Sequence, residues 1–108
     1  MSKIDIFLES VYNHLQDSIS IVFPNNHDIE SYVLSLESEL FKTYKVSLKN
    51  AKFVYYRDYK KDQAKGIETD SIIIIDPRCY IEEINRRDQQ IQKVLKGIQD
   101  IWNYNLNQ

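Results

Sequence analysis

Glycine is scarce in this chain: of 108 residues only Gly66 and Gly97 lack a side chain. A loop that cradles phosphate with its backbone needs several such residues close together, so P-loop and dinucleotide-fingerprint sites are excluded. Histidine is equally rare. His14 falls beside the apolar face of an N-terminal helix and His27 in the first turn of the next, where surface or packing roles fit better than catalysis. The single cysteine, Cys79, closes no internal disulfide and is too little thiol for a cysteine metal cluster. No apolar run approaches the roughly 18 residues that span a bilayer, and the first residues lack the basic stretch, apolar core and small-residue cleavage site of an export signal. These absences predict a soluble protein of a reducing cytosol, with no cofactor, no metal and no membrane association.

What is present is average in amount and uneven in placement. Apolar residues at 43% and charged residues at 28% match a globular chain, and the length suits one core, so residues 1–108 are expected to form a single domain. The net charge of −2 conceals segregation. Residues 1–41 hold Lys3 against seven acids; residues 42–65 hold eight bases against Asp58 and Asp62. Isoleucine, lysine, asparagine and tyrosine make up more than a third of the chain, a bias that AT-rich genomes produce and that points to a low-GC microbe, a virus or a mobile element.

Apolar spacing supplies the elements. Ile4, Phe7, Leu8, Val11, Tyr12 and Leu15 recur at helical intervals behind Ser2, which predicts a helix over 3–16 with Ser2 as its cap. Residues 18–23 are short, β-branched and stopped by Pro24, as a short strand would be. Ile29, Tyr32, Val33, Leu36, Leu40 and Tyr44 predict a second helix over 27–43. Residues 52–58 and 71–75 have strand composition, and the polar stretch 60–69 between them, with Gly66, reads as a long hairpin loop. The four isoleucines 72–75 leave no solvent face, which would put that strand at the centre of the sheet. The expected fold is α+β in the order α, short β, α, β, β, α, with helices packed on a small antiparallel sheet.

The last quarter is a long amphipathic helix. Asp76 accepts from free backbone N–H groups and Pro77 costs no helical bond at the first position. Tyr80, Ile84, Ile91, Val94, Leu95, Ile98, Ile101 and Trp102 lie within about 120° of the helical wheel, as a core-facing stripe does. A heptad seam is interrupted at Arg87 and Asp88, which disfavours a simple coiled coil. About 28 residues at 1.5 Å rise would span about 42 Å, more than the diameter of a compact domain of this length. Either the helix bends at Gly97, or Ile101, Trp102 and Leu106 at its end are covered by another subunit or partner.

Chemistry follows from placement. Cys79 beside Arg78 near a helix start has the setting that activates a thiol, but Asp76 opposes thiolate formation and no histidine lies nearby, which favours an inert residue. Asp58, Asp70 and Asp76 at strand ends, with Lys60, match the carboxylates of a metal-dependent nuclease only in residue type, since acids commonly cap strands and helices. No catalytic residue is assigned. The expected function is a non-enzymatic protein-binding module, a regulator, inhibitor or assembly component, that pairs with itself as a homodimer or with another protein through Tyr80, Ile91, Leu95, Ile98 and Trp102. The alternative is nucleic-acid binding through the basic, tyrosine-rich segment 42–65, with Lys49, Lys52, Arg57, Tyr59, Lys60, Lys61 and Lys65 meeting phosphates and bases.

Overall fold

The computed structural model describes residues 2–66 and 71–106, the last three of these by their backbone alone. Helix α1 (Lys3–Asn13) starts where Ser2 and Asp5 form a reciprocal capping box, Ser2 Oγ accepting from the Asp5 N–H and Asp5 accepting from the Ser2 N–H, an arrangement that satisfies two otherwise orphan donors. Strand β1 (Ile19–Phe23) follows. Helix α2 (Ile29–Tyr44) is capped by Asp28, whose carboxylate accepts from the Ser31 N–H, and it ends at Lys45 in the left-handed region at φ 59°. Strand β2 (Ala51–Tyr55) runs directly into helix α3 (Tyr56–Ala64). Strand β3 (Ile72–Ile75) leads into helix α4 (Arg78–Leu106).

The chain is α+β with a long C-terminal helix, as expected, but the sheet is parallel rather than antiparallel. Its order is β2-β1-β3, with Ile19 opposite Ala51 on one side and Ile72 on the other. The missing piece in the expected order is α3. In place of the expected hairpin loop, residues 56–64 form a helix, and a helical crossover returns the chain parallel to the strand it left. The centre of the sheet is therefore β1, fully buried along its length, and the isoleucine run of β3 lies at an edge. Ile72 and Ile73 remain 38% exposed there.

Side chains alternate across β1. Ile19, Ile21 and Phe23 meet Phe7, Leu8 and Val11 of α1, Tyr32, Leu36 and Leu40 of α2, and Ile74 in the larger core. Phe23 anchors this core, stacking on Tyr32 at 4.8 Å and packing at a tilt against Tyr55 at 4.4 Å between ring centroids. Val22 points to the opposite face, where a thinner layer is built from Tyr56, Cys79, Tyr59 and Ile75. Two helices thus cover one face, and α3 with the first turn of α4 covers part of the other. The remainder of α4 stands clear: the Cα radius of gyration is 19.4 Å and the longest extent 68 Å, against about 13 Å expected for the radius of a compact chain of this length.

Candidate functional site

The attachment of α4 decides which of its faces is free. Cys79, fully buried, packs on Val22 and Tyr56. Glu82 accepts from the Asn25 N–H at 3.0 Å, and Glu83 accepts from the Tyr56 hydroxyl at 2.9 Å. These three residues lie on the polar side of the helix. At about 100° per residue, the apolar stripe is centred more than a quarter-turn away; its first residues, Tyr80 and Ile84, line a groove with Ile6 of α1 and Ile73, Ile74 and Ile75 of β3, and the rest, from Ile91 on, is exposed. The expectation that a wide stripe packs on the protein's own core is thereby overturned for this chain. Tyr80 is 47% exposed, Ile91 55%, Leu95 54%, Ile98 60% and Trp102 64%. Ile84, Val94 and Ile101 are likewise exposed. The helix is continuous through Gly97, so its length is not absorbed by a break there.

The root of α4 is held by a buried polar network. The Asp76 carboxylate, with no exposed surface, accepts from the Tyr32 hydroxyl at 2.6 Å, the Arg78 N–H at 2.9 Å and Arg78 Nη2 at 2.7 Å. Arg78 Nε donates to both carboxylate oxygens, at 3.1 and 3.2 Å. Burial alone would raise the Asp76 pKa, but the hydrogen bonds from Arg78 and Tyr32 outweigh it and hold the group below its ordinary value. The same burial, reinforced by the Asp76 carboxylate, keeps the Tyr32 hydroxyl protonated far above its usual range. Asp76 is therefore both the expected helix cap and a structural anion, which leaves it no valence for a metal. The Cys79 thiol is pushed up to about 12, first by burial and then by the Asp76 and Glu82 carboxylates, and it donates to the Val22 carbonyl at 3.7 Å. That environment belongs to an inert thiol, as the sequence suggests.

The basic segment does not make one surface. Lys49 and Lys52 lie before and within β2, at the amino end of the sheet, whereas Arg57, Tyr59, Lys60, Lys61 and Lys65 lie on α3 or at its end, past the carboxyl edge. Helical spacing brings Arg57, Lys60 and Lys61 close together, and α4 adds Arg86 and Arg87 across a cleft. Lys60 and Arg87 both reach Glu83, at 3.4 and 3.1 Å. Arg57 lies over the Tyr55 ring at 4.7 Å. Asn25, Glu83 and Arg86 carry no signal in the sequence, because what defines them is proximity between β1, α3 and α4. Asp58 is exposed on α3, Asp70 lies outside the described residues, and no group of three metal-binding side chains occurs among the described residues. His14 pairs with Asp17 and His27 with Asn26, both at the surface.

Among the described residues no helix is long and apolar enough to cross a membrane. Comparison with protein-family models, curated proteins and solved structures finds no match to the chain.

Proposed function

We propose that this chain is a non-catalytic, self-associating protein module, and that the exposed face of α4 meets the same face of a second copy. The supporting observation is the stripe itself: seven apolar residues from Ile84 to Trp102, each more than half exposed, on a helix that is attached by its other side. Contiguous apolar surface of this kind marks an interaction site.

Two features favour a second copy as the occupant. Beyond the interruption at Arg87 and Asp88 the stripe repeats every seven residues, as Ile91 and Ile98, as Val94 and Ile101, and as Leu95 and Trp102, which is the period at which helices mesh with their own kind. From Arg78 to Leu106 five cations are balanced by four acids, so copies laid side by side do not repel. Full burial of an aliphatic or aromatic side chain is worth about 1.5–3 kcal/mol. Seven side chains losing more than half their area on each of two helices then contribute on the order of 10 kcal/mol or more, comparable with the association cost of about 4–15 kcal/mol.

Light scattering across micromolar concentrations tests this reading. The wild type is expected to run as a dimer or larger bundle, and Leu95→Glu with Ile98→Glu as a monomer of unchanged sheet and helix signal. A wild type that stays monomeric throughout that range would refute it. Retention on nucleic acid, lost when Lys60 and Lys61 become Glu, would instead favour the basic segment as the working surface.

A further inference from the structure

The geometry points to a second site, independent of the α4 stripe: the cleft between α3 and α4 binds a small phosphomonoester, a ligand of mononucleotide size. The cleft encloses about 360 Å³, within the range of small-molecule pockets. It lies beyond the carboxyl ends of the parallel strands, the end at which open α/β sheets hold their ligands.

Charge specifies the ligand. Arg57, Lys60, Arg86 and Arg87 line the cleft with two acids, Glu82 and Glu83. Both acids are already engaged. Glu82 accepts from the Asn25 N–H, and Glu83 from Tyr56, Lys60 and Arg87. The cleft therefore carries a surplus of two positive charges, which matches a phosphate dianion. The Arg86 side chain makes no hydrogen bond or ion pair among the described residues, and the Arg57 side chain is held only over the Tyr55 ring. Arg57 and Arg86, from helices far apart in sequence, both line this cleft, and planar guanidinium groups suit phosphate oxygens.

Helix direction adds to this field. Helix α3 starts at the carboxyl end of β2, and its first turn, with Tyr56 and Arg57, lines the cleft, so its positive end opens there. Tyr55, at the cap position of α3, supplies no side-chain hydrogen bond to the helix. The Arg57 N–H is capped instead from across the sheet by Asn25 Oδ1 at 2.8 Å, which leaves the Asn25 amide NH₂ able to donate. Contact with the phosphate runs through side chains, which reconciles the site with a chain that has no glycine-rich loop.

Isothermal titration of the 108-residue chain with inorganic phosphate, adenosine monophosphate, adenosine and a single-stranded oligonucleotide tests the assignment. Phosphate and adenosine monophosphate are expected to bind with one site per chain, and adenosine not at all. Arg57→Gln and Arg86→Gln are each expected to weaken adenosine monophosphate by about tenfold or more, while Lys49→Gln with Lys52→Gln leaves it unchanged. Neither arginine side chain holds an ion pair among the described residues, so circular dichroism of both variants should match the wild type. Three results would overturn the site: no binding of either phosphate compound at millimolar concentration, equal weakening by the Lys49 and Lys52 changes, or binding of the oligonucleotide alone.

Discussion

Replacing Asp76 by asparagine removes one charge and little volume from the point where α4 joins the sheet. Asparagine can still accept from the Arg78 N–H, so the helix cap survives. What is lost is the anion opposite the Arg78 guanidinium, which approaches at 2.7 Å, together with one acceptor, because the amide NH₂ must now face either Arg78 or the Tyr32 hydroxyl. Hydrogen bonds to a charged group are worth about 1.5–3 kcal/mol, and a buried donor left unpaired costs about 1–3 kcal/mol. The Arg78 side chain is 45% exposed and can regain water, which places the expected loss toward the lower end, about 2–4 kcal/mol.

The pH dependence is specific to this mechanism. Asp76 has a folded pKa below its ordinary value of about 3.9. Its contribution is therefore complete above the unfolded value and is lost as pH falls through the folded one. Urea unfolding of Leu95→Glu/Ile98→Glu and of the same chain with Asp76→Asn should show the full difference at neutral pH and a shrinking one in acid. The monomeric background keeps association out of the comparison. A difference under about 1 kcal/mol at neutral pH, or one that persists unchanged in acid, would refute the account of the network.

Three other expectations follow from single residues. Cys79, with its pKa raised to about 12, should resist a disulfide reagent in the folded chain and react at once in urea; its contribution to stability is complete below the unfolded thiol value of about 8.5 and is lost as pH rises toward 12. Rapid reaction of the native protein would contradict its burial. Gly97→Ala should stabilise α4 by about 1 kcal/mol, since a Cβ there meets nothing within 4 Å; a drop in melting temperature would show that α4 needs flexibility at that point. Lys45→Gly should raise stability by up to about 1 kcal/mol, because Lys45 holds φ 59° at the end of α2 and a side chain is strained there. A loss instead would assign more weight to the contact of Lys45 Nζ over the Phe41 ring at 5.5 Å.

Apolar periodicity makes α1, α2 and α4 legible, and β-branched composition makes the three strands legible, with ends displaced by a few residues. Helix α3 is not. Its sequence is polar, only Tyr56 is buried, and the side chain that caps it is Asn25, 32 residues earlier. Without that helix the strands on either side look like a hairpin, and the expectation of an antiparallel sheet follows from the omission. A contrary signal is present. The continuous apolar run 72–75 is typical of parallel strands, and here it reports strand direction rather than position in the sheet. The stripe of α4 is plain in the sequence, yet what it faces is not. Which side of a helix meets its domain depends on where the preceding strand delivers it, and here Cys79, Glu82 and Glu83 arrive first. The cleft is invisible for the same reason: Arg57 and Arg86 become neighbours only once β1, α3 and α4 are assembled.

The place of β1 in the sheet governs how the molecule must fold. No two strands of the sheet are joined by a turn: Ile19 waits for Ala51 on one side and for Ile72 on the other. Every strand pairing closes a long loop before any contact rewards it, which makes such sheets slow to form and leaves the helices to organise first. During synthesis the central strand emerges well before both of its neighbours, with Ile21 and Phe23 sheltered only by α1 and then α2. A chain cut before Ile72 would keep both of those helices and still lack the strand that closes β1's second side, so its failure would be aggregation through that bare edge rather than a smaller fold.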